Sequence, residues 1–414
     1  MILKDIVKKI PVLRKFLKKL YLNNKSADFE KISQKSEVDP KLVVFESFQG
    51  RSYSCSPKAI YQYMLSCPDF NDYSYVWIFR DISAHGSFPQ NTRLVKFDSE
   101  ESFHAYAKAG TWITNSRLRD FYIPKKNQRY IQCWHGTPFK KIGCDVTAAG
   151  NATSTVREIY DEYTNEAKRI SFYISPSDFT TSKLITAFNL KSLGKENRII
   201  QKGYPRNDSL FNSNLKTVEN FKKNLNIPQN KKVILYCPTF RDNQFNGNGY
   251  TLEPTIDFYS LKEKCGDDFV ILFRAHYFIA NSFDFKKYNG YIVNVSDHDD
   301  INDLYLISDI LITDYSSVFF DYANLKRPIL FYLYDFEEYK NNMRDFYFGT
   351  AMLPGPVTQT QENLETELNK VLEDIRKGGN GLLKYEKTLN AFNKKFNPYE
   401  DGHSAERTTK ELFY

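Results

Sequence analysis

A chain of 414 residues exceeds what one hydrophobic core fills, so two domains of similar size with a cleft between them are expected. Hydrophobic residues at 41% and aromatic residues at 16% exclude extended disorder, and no apolar run of about 18 residues is present to form a membrane-crossing helix. The formal charge of +7 is gathered at the start of the chain, which argues against a nucleic-acid-binding surface on the body.

Residues 1–21 hold Lys4, Lys8, Lys9, Arg14, Lys15, Lys18 and Lys19 against Asp5 alone. Ile6, Ile10, Leu13, Leu17 and Leu20 recur at three- and four-residue steps, predicting a basic amphipathic helix over 1–22, interrupted at Pro11. Such a helix suits an anionic membrane surface; the other reading is a helix packed on the protein body with its lysines solvated. The apolar residues are interleaved with lysines, so no cleavable signal is read. Residues 23–40 are polar and read as a linker. Six cysteines without CxxC spacing point to reduced thiols in a cytosolic protein rather than to zinc or a disulfide framework.

From residue 41, short apolar runs alternate with stretches of helical period. KLVVFESF (41–48), YSYVWIF (73–79), TWITN (111–115), YIQCWH (130–135) and SFYIS (171–175) predict one set of strands. VILYCPTF (233–240), FVILFRAH (269–276), YIVNV (291–295), DILITD (309–314) and PILFYLY (328–334) predict a second. Unbroken runs indicate parallel strands covered on both faces, with helices over 55–67, 155–168, 258–265, 301–307 and 361–377. The fold class is therefore α/β, with two doubly wound domains at 41–215 and 216–395 and a helical segment, 396–414, packing back toward the first.

In such sheets ligands bind beyond the carboxyl ends of the strands, which singles out the residues placed there. His135, followed by Gly136 and Thr137, can take a proton from a hydroxyl, although a lone histidine is also a common structural residue. Arg274 and His276 end a strand of the second set and alternate onto one side. Arg241 suits bidentate phosphate contact; Arg206 and Lys202 could do the same or form surface ion pairs. Ser316 and Ser317, after Asp314, open a helical run where backbone N–H groups attract an anion, unless Asp314 or Ser316 is a plain helix cap. Asp297, Asp299 and Asp300 around His298 could hold a divalent cation, but a solvated turn opening a helix is favoured and no obligatory cofactor is expected. Neither a GxGxxG nor a GxxxxGK[ST] motif occurs.

CWHGTPFKKIG (133–143), ISPSDFTTSKLITAFNL (174–190), GYPRND (203–208), ILYCPTFRD (234–242), FRAH (273–276), DLYLISDILITDYSSVFFDYANLKRPILFY (303–332), FYF (346–348) and LPGP (353–356) resemble the CDP-glycerol glycerophosphotransferase family, the teichoic acid primases and polymerases. The resemblance implies a GT-B fold: two Rossmann-like domains facing a central cleft, with a CDP-glycerol or CDP-ribitol donor in the second and a lipid-linked, undecaprenyl-type acceptor near Gly136, Thr137 and Arg206 of the first. It implies His135 and His276 as the functional histidines, Ser316, Ser317 and Asp321 as donor contacts, and peripheral attachment to the cytoplasmic face of the membrane; Arg241, Arg274 and Asp314 are expected at the same donor site. The work so implied is polyol-phosphate transfer with release of CMP in teichoic acid or capsule synthesis. A GT-B glycosyltransferase using a nucleotide sugar is the alternative from a neighbouring class, and a non-catalytic membrane scaffold the one from another.

Overall fold

The computed structural model describes residues 11–147, 155–239, 255–275, 284–288, 290–342 and 345–414. Its first sheet contains β1 (Asp39–Glu46), β2 (Ser74–Phe79), β3 (Thr92–Lys96), β4 (Ala109–Thr114), β5 (Arg129–Gln132), β6 (Phe172–Ser175) and β7 (Ile199–Gln201), in the order β3-β2-β1-β4-β5-β6-β7. The second contains β8 (Lys232–Cys237), β9 (Phe269–Phe273), β10 (Ile292–Asn294), β11 (Ile310–Thr313), β12 (Ile329–Tyr332) and β13 (Val357–Thr358), in the order β10-β9-β8-β11-β12-β13. Neighbouring strands run parallel in both sheets.

The unbroken apolar runs follow from burial on both faces. Along β1, Val43 and Phe45 enter the core on one face with Trp77, while Val44 enters the core on the other with Val76 and Ile78. Val233 and Ile234 of β8 divide between two cores in the same way. Strand order reverses between β1 and β4 in one sheet and between β8 and β11 in the other, opening a crevice at each set of carboxyl ends. The crevices face each other, giving the two-lobed cleft of a GT-B fold.

Residues 23–40 are not a linker. The helix Pro11–Lys35 runs through most of that stretch and β1 starts at Asp39. The helix is held by Phe29, which packs 5.1 Å from Tyr122 and 6.0 Å from Phe103 between ring centroids, and by Tyr21, whose hydroxyl donates to Asp98 at 2.6 Å. Lys4, Lys8 and Lys9 lie outside the described residues, as do the side chains of Arg14, Lys15, Lys18 and Lys19. Among the described residues no helix is long and apolar enough to cross a membrane.

At the other terminus two helices, Glu386–Phe396 and Ser404–Phe413, return the chain to the first lobe. Leu412 joins that lobe's core and Phe413 packs on Phe70. The lobes also meet where Lys140 bridges to Phe346 and Phe139 stacks on Phe346 at 4.6 Å.

Candidate active site

A cleft of about 1530 Å³ lies between the lobes. Its first-lobe wall is built from residues that follow β1, β4 and β5, and its second-lobe wall from residues that follow β8, β9 and β11.

His135 stands in the first wall, three residues beyond β5. Its Nδ1 lies 2.7 Å from the backbone oxygen of Asn115, which can only accept, so Nδ1 carries the hydrogen and Nε2 keeps a lone pair. The ring is fixed by Trp134 at 4.5 Å and Phe48 at 5.8 Å between centroids. Trp134 adopts a left-handed backbone (φ 52°), a conformation that costs a non-glycine residue energy and that turns the chain sharply just before His135. The cleft walls strip water from the imidazole and lower its pKa; the Asn115 carbonyl opposes this and the positive charge of Arg206 adds to it. The ring is nevertheless exposed to the cleft. It is therefore a neutral base with an available lone pair.

Asn115 does two jobs. While its backbone oxygen orients His135, its side-chain oxygen accepts from the Phe48 N–H at 2.8 Å, tying the loop after β1 to the loop after β4. Sequence reasoning passed over it, although its place as the first residue beyond a strand was a usable signal.

Gly136 brings the lobes together. A Cβ placed there would lie 2.5 Å from Ser317 Oγ and 3.2 Å from its Cβ, so any larger residue would displace Ser317 from the histidine loop. Ser316 and Ser317 line the opposite wall, and Ser317 caps the short helix Val318–Tyr322 without using its side chain. Thr137 also lines the cleft. Arg274 lines it too, and its Nη1 donates to the backbone oxygens of Val295 at 3.1 Å and His298 at 2.7 Å. His276 and Arg241 lie outside the described residues.

Three predicted ligand contacts are placed elsewhere. Asp314 is buried and accepts the backbone N–H groups of Thr239 and Tyr315, pinning the loops after β8 and β11 together. Arg206 and Asp321, each 5% exposed, are absent from the cleft wall because each is the other's counter-charge. They form a bidentate pair across the lobes with both distances 2.9 Å, and Asn207 adds a third bond to Asp321 at 3.1 Å.

The acidic cluster is used structurally. Asp300 caps the helix Ile301–Ile307 and pairs with Lys58 at 2.8 Å, Asp299 faces His85 at 3.6 Å, and His298 bonds Asp303 at 3.0 Å. Among the described residues no group of three or more such side chains is arranged to hold a metal ion.

The family model for CDP-glycerol:poly(glycerophosphate) glycerophosphotransferase matches residues 29–414. The chain is 37% identical over 388 residues to a teichoic acid poly(glycerol phosphate) polymerase of Staphylococcus epidermidis, covering 93% of this chain and 52% of that protein, so it spans about half the length of that relative. It is 34% identical to a teichoic acid glycerol-phosphate transferase of Staphylococcus aureus, covering 97% of this chain and all of the other. Among solved structures, the wall teichoic acid polymerase TagF, in a histidine variant soaked with CDPG, superposes with a TM-score of 0.84 at 35% identity, covering 96% of this chain and 95% of that one. A match over nearly the whole chain, in sequence and in fold, makes this protein a member of the CDP-glycerol:poly(glycerophosphate) glycerophosphotransferase family.

Proposed function

We propose that this chain transfers a polyol phosphate, glycerol phosphate foremost, from its CDP-linked donor to a hydroxyl of a lipid-linked acceptor in teichoic acid synthesis, with release of CMP. The observation that carries the reading is the His135 imidazole, held by Asn115 with Nε2 unprotonated in a cleft whose other wall presents Ser316 and Ser317.

In the reaction, the acceptor oxygen attacks the phosphorus that bears the polyol. The bond from that phosphorus to the bridging oxygen breaks, CMP leaves with the electron pair, and His135 Nε2 takes the hydroxyl proton. General-base assistance of this kind contributes roughly 10²–10⁴-fold to rate. Arg274 and the hydroxyls of Ser316 and Ser317 stand on the donor wall to stabilise the diphosphate, with Arg241 and His276 assigned there by motif.

Attachment to the cytoplasmic face of the membrane belongs to the same reading. It is supported by the basic start of the chain and by Leu17, Leu20 and Tyr21, which the helix Pro11–Lys35 leaves exposed. The test is CMP release by purified protein given CDP-glycerol or CDP-ribitol, a lipid-linked teichoic precursor and anionic vesicles. Release that depends on acceptor, with sedimentation on the vesicles, is expected. No CMP from any CDP-polyol, or transfer from a UDP-sugar instead, would remove the reading.

A further inference from the structure

We propose that the arm of the cleft between residues 116–123 and the helix Pro11–Lys35 is the subsite for a phosphate ester of the acceptor, with Arg119 and Arg117 as its cations. The proposal rests on the transfer reaction above and assigns residues that the reaction itself does not require.

The segment starts one residue beyond Asn115, the residue that orients His135. Its backbone is pinned. Ser116 Oγ accepts from the Gln49 N–H at 3.1 Å, Leu118 is buried with its N–H toward Glu166, and Arg169 donates to the backbone oxygens of Arg119 and Tyr122 at 2.8 and 2.9 Å. Arg117 and Arg119 flank buried Leu118, and both line the cleft. Arg117 is steadied by Glu162 at 3.0 Å and by the Tyr163 ring at 4.7 Å. Arg119 makes no ion pair or side-chain hydrogen bond among the described residues.

Arg119 is half-buried and engages no carboxylate directly among the described residues; its charge acts on buried Glu46, and Asp120 beside it lines the cleft, so its guanidinium fork stays available to two phosphate oxygens. The donor diphosphate is assigned to the opposite wall, so this cation is left for the other substrate. Beyond Asp120 the arm gains apolar residues: Phe121 and Leu22 line it together with polar Asn23 and Ser26, and Ile123 is 61% exposed. A base, a free guanidinium fork and apolar side chains in one cleft match the hydroxyl, phosphate and apolar chain of a phosphorylated amphiphile. The phosphate could be a phosphodiester of a polyol-phosphate unit or the pyrophosphate of a lipid carrier, and the two share this chemistry.

The test uses three acceptor analogues with one reactive hydroxyl and one short alkyl chain, linked by a phosphodiester, a pyrophosphate or an uncharged ether. With CDP-glycerol as donor, Arg119→Ala should raise the acceptor KM about tenfold or more for the charged analogues. It should leave the ether analogue, kcat and CDP-glycerol binding unchanged, with Arg119→Lys intermediate. The charged analogue that loses more identifies the source of the phosphate. An equal rise for all three, no rise for either charged analogue, or a rise in the donor KM instead would overturn the assignment. If the wild type released no CMP with any analogue, the transfer reaction would be the part at fault. Calorimetric binding of the alkyl pyrophosphate to wild type and Arg119→Ala would still decide the subsite.

Discussion

A general base works only while neutral, so the lowered pKa of His135 fixes where activity is lost on the acid side. Protonation in the fold requires a lower pH than for free imidazole. The kcat/KM profile should therefore stay level through neutrality and fall only as the pH drops below about 6.5, the ordinary histidine value. A limb centred above that value would contradict the electrostatics described. Gly136→Ala should reduce turnover sharply with little change in melting temperature, because the new methyl group meets Ser317 across the cleft rather than anything in a core. Near-normal kcat in that variant would show that the close approach does not matter. His135, Gly136, Arg274, Ser316 and Ser317 were legible in the sequence because each lies just beyond an apolar run whose carboxyl end faces the crevice. Asn115 and Arg119 were not, since their significance lies in partners and neighbours that only the folded lobe supplies. For Arg206 an ion pair was already one of the two readings, but its partner, Asp321, was not legible, because nothing in either motif discloses a counter-charge 115 residues away.

Among the elements, the central strands were legible because burial on both faces demands unbroken apolar runs, as in VVF of β1 and VIL of β8. The strands that escaped notice, β3, β7 and β13, are short or outer ones: TRLVK of β3 carries two cations, and β13 has only two residues. The second half of the helix Pro11–Lys35 escaped for a different reason. That half is mostly polar, and its anchorage rests largely on Phe29, 2% exposed among Phe103, Phe121 and Tyr122. Phe29→Ala should cost about 3–5 kcal/mol, or free the helix from the first lobe while the sheets persist. Denaturant unfolding together with limited proteolysis at residues 20–36 would check this. Unchanged stability and an uncut helix would show that other contacts hold it.

At the scale of the whole molecule, the described residues couple the two lobes through the buried Arg206–Asp321 pair, through further ion pairs such as Lys58–Asp300, and through a docked aromatic strip. Removing one member of the pair leaves an uncompensated charge between lobes, so Arg206→Ala or Asp321→Ala should cost about 3–5 kcal/mol. Because Arg206 also acts on His135, Arg206→Ala should raise that histidine's pKa and move the acid limb toward neutrality, a change that Asp321→Ala would not produce by loss of positive charge. Thermal melts and pH profiles of the two variants distinguish a latch from a bystander. The two-lobed plan itself was legible from chain length and the two successive series of strands, whereas the way the strip at Phe346–Phe348 docks on Phe139 depends on shape that no local pattern encodes. The most direct measurement is CMP release from CDP-glycerol by wild type and His135→Ala in the presence of a lipid-linked acceptor, with donor affinity measured alongside. Wild type should turn over, and His135→Ala should bind CDP-glycerol while releasing CMP at least about 100-fold more slowly. Near-normal release by the variant would contradict the assignment of His135 as the base.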